Sequence, residues 1–163
     1  MKLLVPVDGS KASVNAAKYA MEFAKKGDYV IKLISVVKHD DSIAYRRNEK
    51  LWRQVDGSII TGRVLNMSNE EVLVKIKQGA LEILETVMEK VDFTGITIET
   101  EILLGEPYEK ILEVSKKDNV DMIIMGNRGF SRIKRFFVGS VTQRVISEAL
   151  CPVLVVHAEA TEE

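Results

Sequence analysis

A chain of 163 residues with 46% hydrophobic and 29% charged side chains has the length and composition of one soluble globular domain. Its net charge of −1 excludes general adhesion to nucleic acid or to anionic membranes, so any basic site must be local. No apolar run reaches the length of a membrane span, one cysteine (Cys151) excludes an internal disulfide, and MKLLVPVDGS lacks the apolar core of a signal peptide. The expectation is a cytoplasmic protein with no nucleic-acid or membrane partner.

In chain order, residues 2–7, KLLVPV, predict a buried strand, and Asp8-Gly9-Ser10 a turn. A helix follows with Val14, Ala17, Met21 and Ala24 on one face, and Gly27 ends it. VIKLISVV at 30–37 predicts the second strand. A second helix runs from about Glu70 to Lys90, its inner face carrying Val72, Ile76, Ile83 and Val87, with Ser68 and Glu71 as a capping box. ITIETEIL at 96–103 is the third strand, and its alternation marks a face wetter than the others. Pro107 opens a third helix with Tyr108, Ile111, Leu112 and Ser115 inward. VDMIIMG at 120–126 is the fourth strand, Ser140 to Leu150 the fourth helix, and CPVLVVH at 151–157 the fifth strand. An acidic tail occupies 158–163.

Strand-helix alternation of this kind predicts an α/β fold, a doubly wound parallel sheet with helices on both faces. Ligands in such sheets lie beyond the carboxyl ends of the strands where strand order reverses, so the loops after the first and fourth strands are the places to examine. The domain spans 1–157 and carries an insertion at about 39–69, longer than an ordinary connection. Ile43, Leu51 and Val55 would line a short helix there that includes Trp52, with Arg46, Arg47, Lys50 and Arg53 facing water. The segment is either a solvated surface excursion or a lid or partner surface.

The loop after the fourth strand reads MGNRGFSRIKRFFVGSV over 125–141. Gly126, Gly129 and, after nine intervening residues, Gly139 followed by Ser140 offer turns through positive φ and close approach of a ligand to the backbone. Successive backbone amides make an anion-binding concavity, and Ser140 is positioned to cap the fourth helix, whose amino terminus favours phosphate. From Met122 to Ser147 the only charged side chains are Arg128, Arg132, Lys134, Arg135 and Arg144, all basic. The alternative is an ordinary connector with solvated cations. Neither a G-x-x-x-x-G-K-[ST] loop nor a G-x-G-x-x-G after the first strand is present.

G-x-x-G, nine residues and G-S after the fourth strand, with V-D-G-S after the first and C-P-V-L-V-V at the end, resembles the universal stress protein family, and within it the ATP-binding branch. The resemblance implies strand order 3-2-1-4-5, the adenine nucleotide α-hydrolase-like arrangement, with ATP or AMP lying across the first and fourth strands. It implies that Pro6, Val7 and Asp8 line the adenosine end, with Val36 touching adenine. Met125 and Gly126 would pass under the ribose, and Gly129, Gly139, Ser140 and Val141 would hold the phosphates, with Arg128 in the same loop. Asp8 suits a ribose hydroxyl or the adenine amino group; it equally suits capping of the first helix at Ser10 or Lys11. Mg²⁺ or Mn²⁺ would arrive with the nucleotide, held by phosphate and water and not by protein side chains. The resemblance also implies a homodimer paired through Val153, Leu154, Val155 and Val156. The basic 132-RIKR-135 and the long insertion depart from the common family pattern.

His39 and His157 have no carboxylate or cysteine at ligand spacing, and Ser10 and Ser140 have no histidine partner in their sequence context, so no catalytic residue is assigned. The expected function is a nucleotide-binding sensor or switch in stress physiology. The alternative is a slow ATPase or nucleotidyl-transfer enzyme on the same sheet.

Overall fold

The computed structural model describes residues 1–38, 52–53, 59–60, 69–129 and 138–158. In chain order the elements are β1 (Lys2–Pro6), α1 (Lys11–Lys25), β2 (Val30–Val37), β3 (Trp52–Arg53), β4 (Ile59–Ile60), α2 (Asn69–Lys90), β5 (Thr97–Leu104), α3 (Pro107–Lys117), β6 (Met122–Gly126), α4 (Ser140–Glu148) and β7 (Val153–Val156). Five of the strands form one sheet in the order β5-β2-β1-β6-β7, which is 3-2-1-4-5 when these five alone are counted. Every pairing in that sheet is parallel.

The sheet is a plane of apolar side chains because its central strands are covered on both faces. Leu3, Leu4 and Val5 of β1, Ile31, Leu33 and Ile34 of β2, and Ile123 and Ile124 of β6 have no solvent exposure. Each such side chain contributes roughly 1.5–3 kcal/mol of burial. Alternation sorts them into two layers. Leu3, Val5, Ile31, Leu33 and Ile124 pack with α1 and α2 residues such as Val14, Ala17, Met21, Leu84 and Val87. Leu4, Ile34, Val36, Ile123 and Met125 pack with Ile111 and Val114 of α3 and Val145 of α4. The strand directions leave the carboxyl ends of β1, β2 and β6 together at one rim, with the amino ends of α3 and α4 beside them.

The predicted face of α1 is buried throughout. On α3 the inward stripe is Ile111, Val114 and Ser115, with Leu112 only half-buried, because the helix is turned toward its i, i+3, i+4 row. Trp52 corrects another expectation. It lies in β3, which pairs antiparallel with β4, Trp52 opposite Ile60 and Arg53 opposite Ile59, and not in a helix. Aromatic and β-branched residues flank an Asp56-Gly57 pair there, the composition of a hairpin. The proposed contacts of Ile43, Leu51 and Val55, the cap at Ser68, and Arg132, Lys134 and Arg135 lie outside the described residues, as do His39 and the end of the tail.

At the amino end of the sheet Lys32 of β2 reaches Asp118, the residue capping the carboxyl end of α3, at 2.6 Å, and Glu101 of β5 at 2.7 Å. Burial pulls the Lys32 ammonium down, but the hydrogen bonds and charges of Asp118 and Glu101 outweigh it and hold its pKa above the ordinary value. The Lys32 hydrogen bond, opposed by burial, holds the Asp118 carboxyl below its ordinary range.

Candidate functional site

Two loops meet at the rim. After β1 the chain turns at Gly9, whose φ of 82° is the left-handed conformation that glycine tolerates. Ser10 caps α1, its side chain accepting from Ser13 N at 3.2 Å. Ser10 thus holds the N-cap position, and Asp8 supports it through the bond at Ser10 that the capping alternative expected. Its Oδ1 accepts from Ser10 N at 3.0 Å and fixes the turn, while its Oδ2 lies against Gly129. A Cβ at Gly129 would collide with that oxygen. The turn after β1 and the glycine loop after β6 are thus in direct contact.

The glycines are required by close approach. None of Gly126, Gly129 and Gly139 has a positive φ, which corrects the expectation of left-handed turns. A Cβ at Gly126 would stand 2.9 Å from the Ala12 Cβ and 3.0 Å from the Ala12 carbonyl carbon, so its absence lets β6 seat against the first turn of α1. A Cβ at Gly139 would stand 3.2 Å from the Arg128 Cα. Gly139 N donates to Asn127 O at 2.7 Å, closing the base of the loop where the chain returns. Thr142 Oγ1 donates to Gly126 O at 3.0 Å and ties α4 to the end of β6.

Gly139, and not Ser140, is the N-cap of α4, and no side chain caps it. Ser140 is the first helical residue and is exposed. This correction has a chemical consequence: the first amides of α4 keep their donors, as an anion site requires. Val7, Val36 and Met125 are buried in the core, so backbone is what they can offer a ligand, whereas Pro6 and Asp8 are partly exposed. Arg128 is half-buried and Gly129 exposed beside Asp8.

The fold also assembles a cavity of about 370 Å³ that residue spacing did not reveal. Ser140, Val141 and Arg144 of α4 form one wall, Glu106 and Tyr108 at the start of α3 the other, and Lys38 after β2 closes it. Lys38 Nζ and Glu106 Oε2 are 2.6 Å apart. The Arg144 guanidinium sits 4.3 Å from the Tyr108 ring centroid. Tyr108 Oη donates to Glu109 Oε1 at 2.8 Å, and that bond, followed by burial, raises the phenol's pKa. The glycine loop has no acid of its own, yet α3 brings two carboxylates, Glu106 and Glu109, to the cavity. Asn127 is a second residue that the spacing did not single out. It is buried, its backbone N donates to Val156 O at 2.7 Å, and its Nδ2 lies 3.1 Å from His157 Nδ1. A polar residue between two glycines was its only signal in the sequence. Cys151 is half-buried, and burial raises its thiol pKa, which suits packing and not nucleophilic chemistry.

A model of the universal stress protein family matches residues 1–157. The chain belongs to the universal stress protein family. This universal stress protein is 35% identical over 161 residues to universal stress protein MJ0531 of Methanocaldococcus jannaschii, covering 99% of this chain and 84% of that one. It is 32% identical over 158 residues to universal stress protein YxiE of Bacillus subtilis, covering 96% and 98% of the two chains. Its fold is similar to the solved structure of protein MJ0577, with a TM-score of 0.74 at 24% identity over 98% of this chain and 97% of that one. It is also similar to a universal stress protein solved in complex with cAMP (TM-score 0.57, 21% identity, 98% of both chains). A universal stress protein from Archaeoglobus fulgidus solved in complex with dAMP has a TM-score of 0.56 at 18% identity, over 96% of this chain and 97% of that one. Among the described residues of this universal stress protein no cluster of His, Cys, Asp or Glu is placed to hold a metal ion. No described helix is long and apolar enough to cross a membrane.

Proposed function

We propose that this universal stress protein binds an adenine nucleotide, ATP or AMP, across the carboxyl ends of β1 and β6, and acts in the cytoplasm as a sensor or switch. The observation that carries the reading is the junction of Asp8 with Gly129 beside the uncapped start of α4. It brings a carboxylate able to accept from ribose or adenine next to backbone donors able to hold phosphate. The relatives in complex with cAMP and dAMP, similar in fold, lend support. Pro6, Val7, Asp8 and the backbone at Val36 would then line the adenosine. Met125 and Gly126 would lie under the ribose, and Arg128, Gly129, Gly139, Ser140 and Val141 would surround the phosphates. Mg²⁺ or Mn²⁺ would enter with the phosphates.

The bound state is the function in this reading, and turnover is slow. Phosphoryl transfer to water requires an oriented nucleophile as well as charge neutralisation. The two carboxylates that line the cavity with Ser140 are engaged, Glu106 by Lys38 and Glu109 by the Tyr108 hydroxyl. Protein purified without nucleotide and analysed by mass spectrometry after denaturation is expected to release intact ATP or AMP. Release of a guanine nucleotide, or failure to bind added ATP once stripped, overturns the assignment. Release of ADP together with steady hydrolysis of added ATP favours the ATPase alternative.

A further inference from the structure

α2 packs on β2 and β5, and β5 is the edge of the sheet opposite to β7. The face it turns to the sheet carries Ile76, Ala80, Leu84 and Val87, all buried. A flank turned away from the sheet is apolar as well: Val74, Leu81 and Met88 stand there with exposures of 67%, 40% and 45%. Seven residues make nearly two helical turns, so the three form one stripe along ~21 Å of the helix. The polar side chains beside the stripe are uncommitted. Lys75, Gln78, Glu85 and Glu89 are exposed, and none of these four side chains has a hydrogen-bond or ion-pair partner among the described residues.

The order of those four along the helix says what covers the stripe. All lie on one side of it, the ammonium and the amide toward the amino end and the two carboxylates toward the carboxyl end. Turned end for end, a second copy of α2 presents the complementary order. A twofold axis through Leu81 sets Leu81 against Leu81 and Val74 level with Met88 of the second copy, each being seven residues from the axis. The same axis brings like flanks together, so Lys75 lies beside Glu89 of the second copy and the Gln78 amide beside its Glu85. Glu82 meets Glu82 across the axis, the one like-charge approach in this register. A parallel pair would instead put Glu85 against Glu85 at the seam and align the two helix dipoles. We infer that α2 of one copy docks antiparallel on α2 of another, an isologous contact remote from both β7 and the nucleotide site. Three apolar side chains from each copy cover far less than the roughly 1,000 Å² of a standing interface. The contact therefore forms at high protein concentration and is empty at the dilution of a sizing column.

Sedimentation equilibrium of the full chain, from about 10 µM to about 1 mM, tests this. The weight-average mass of the wild type is expected to rise across that range above its low-concentration value. Leu81→Glu, at an exposed position, is expected to abolish the rise. Glu82→Gln, which removes the like-charge approach, is expected to move the rise to lower concentration, a gain that a damaged fold would not produce. Lys75→Glu and Glu89→Lys are each expected to weaken association about fivefold, and the double variant to restore it. No rise in the wild type, a rise unchanged by Leu81→Glu, or a double reversal that fails to restore association overturns the inference. A wild-type mass that stays constant, with a lowered melting temperature in dilute Leu81→Glu, would put another part of the same chain on the stripe and overturns it as well.

Discussion

Asp8 divides its carboxylate between two tasks at the rim of the sheet. One oxygen holds the turn into α1 through Ser10 N, and the other lies where a side chain at residue 129 would have to go. Gly129 has ordinary φ and is exposed, so a larger residue there need not strain the backbone; it must displace Asp8. Gly129→Val is accordingly expected to weaken ATP binding ten- to a hundredfold, about 1.4–2.8 kcal/mol. Far-UV circular dichroism and the melting temperature should change little. Titration calorimetry beside thermal melts separates the two effects, and wild-type affinity in the variant would reduce the loop to a connector.

At the scale of elements, β2 and α3 are joined at opposite ends by different chemistry. At the rim, Gly105 N donates to Val37 O at 2.9 Å and lets the chain turn into α3 beside the cavity. At the far end, Lys32 and Asp118 join strand to helix, with side-chain exposures of 10% and 14% that leave the pair little screened by solvent. The folded Asp118 pKa lies below its unfolded value, so its stabilisation is present above the ordinary carboxyl range and is lost as pH falls through the folded value. The folded Lys32 pKa is raised, so its share is complete below the unfolded lysine value and is lost only as pH rises through the folded one. Between about pH 5 and 9 the pair should contribute at a constant level. Asp118→Asn is therefore expected to melt several degrees below wild type at pH 7, with the gap narrowing as pH falls below about 4. Scanning calorimetry from pH 3 to 7 would show it, and a gap independent of pH would mean that the pair contributes nothing through its charge.

For the whole molecule, the two edges of the sheet differ in kind. β5 presents Glu99 and Glu101 along its length, charges that discourage further pairing. β7 is Val153, Leu154, Val155 and Val156 without a charge, and exposed Ile146 and Leu150 lie on and just after the helix that packs against it. We propose that two copies pair through this edge about a twofold axis. Val155→Lys is expected to convert the dimer to monomer, or to aggregate, in light scattering coupled to size-exclusion chromatography. A dimer of unchanged mass and affinity would place the interface on another face.

Alternating apolar runs and amphipathic segments in this chain already determined a doubly wound sheet, because burial on two faces demands strands such as LLV and LIS without charge. The glycine spacing and the Asp8 turn likewise marked both loops at the rim, since recurring glycines signal a backbone that something approaches closely. Other features were decided only in three dimensions. Glu106, Tyr108 and Lys38 come to Ser140 and Arg144 from separate segments of the chain, so no local pattern could announce the cavity they share. The glycines are needed because Ala12, Asp8 and Arg128 press against them, and spacing records only that glycine is there, not what lies opposite. The helix expected around Trp52 gave way to a β-pair because a partner strand, more than apolar periodicity, decides so short a segment. Propensity and periodicity act over a few residues and are written along the chain; a site made of contacts between distant segments exists only once the sheet has brought them together.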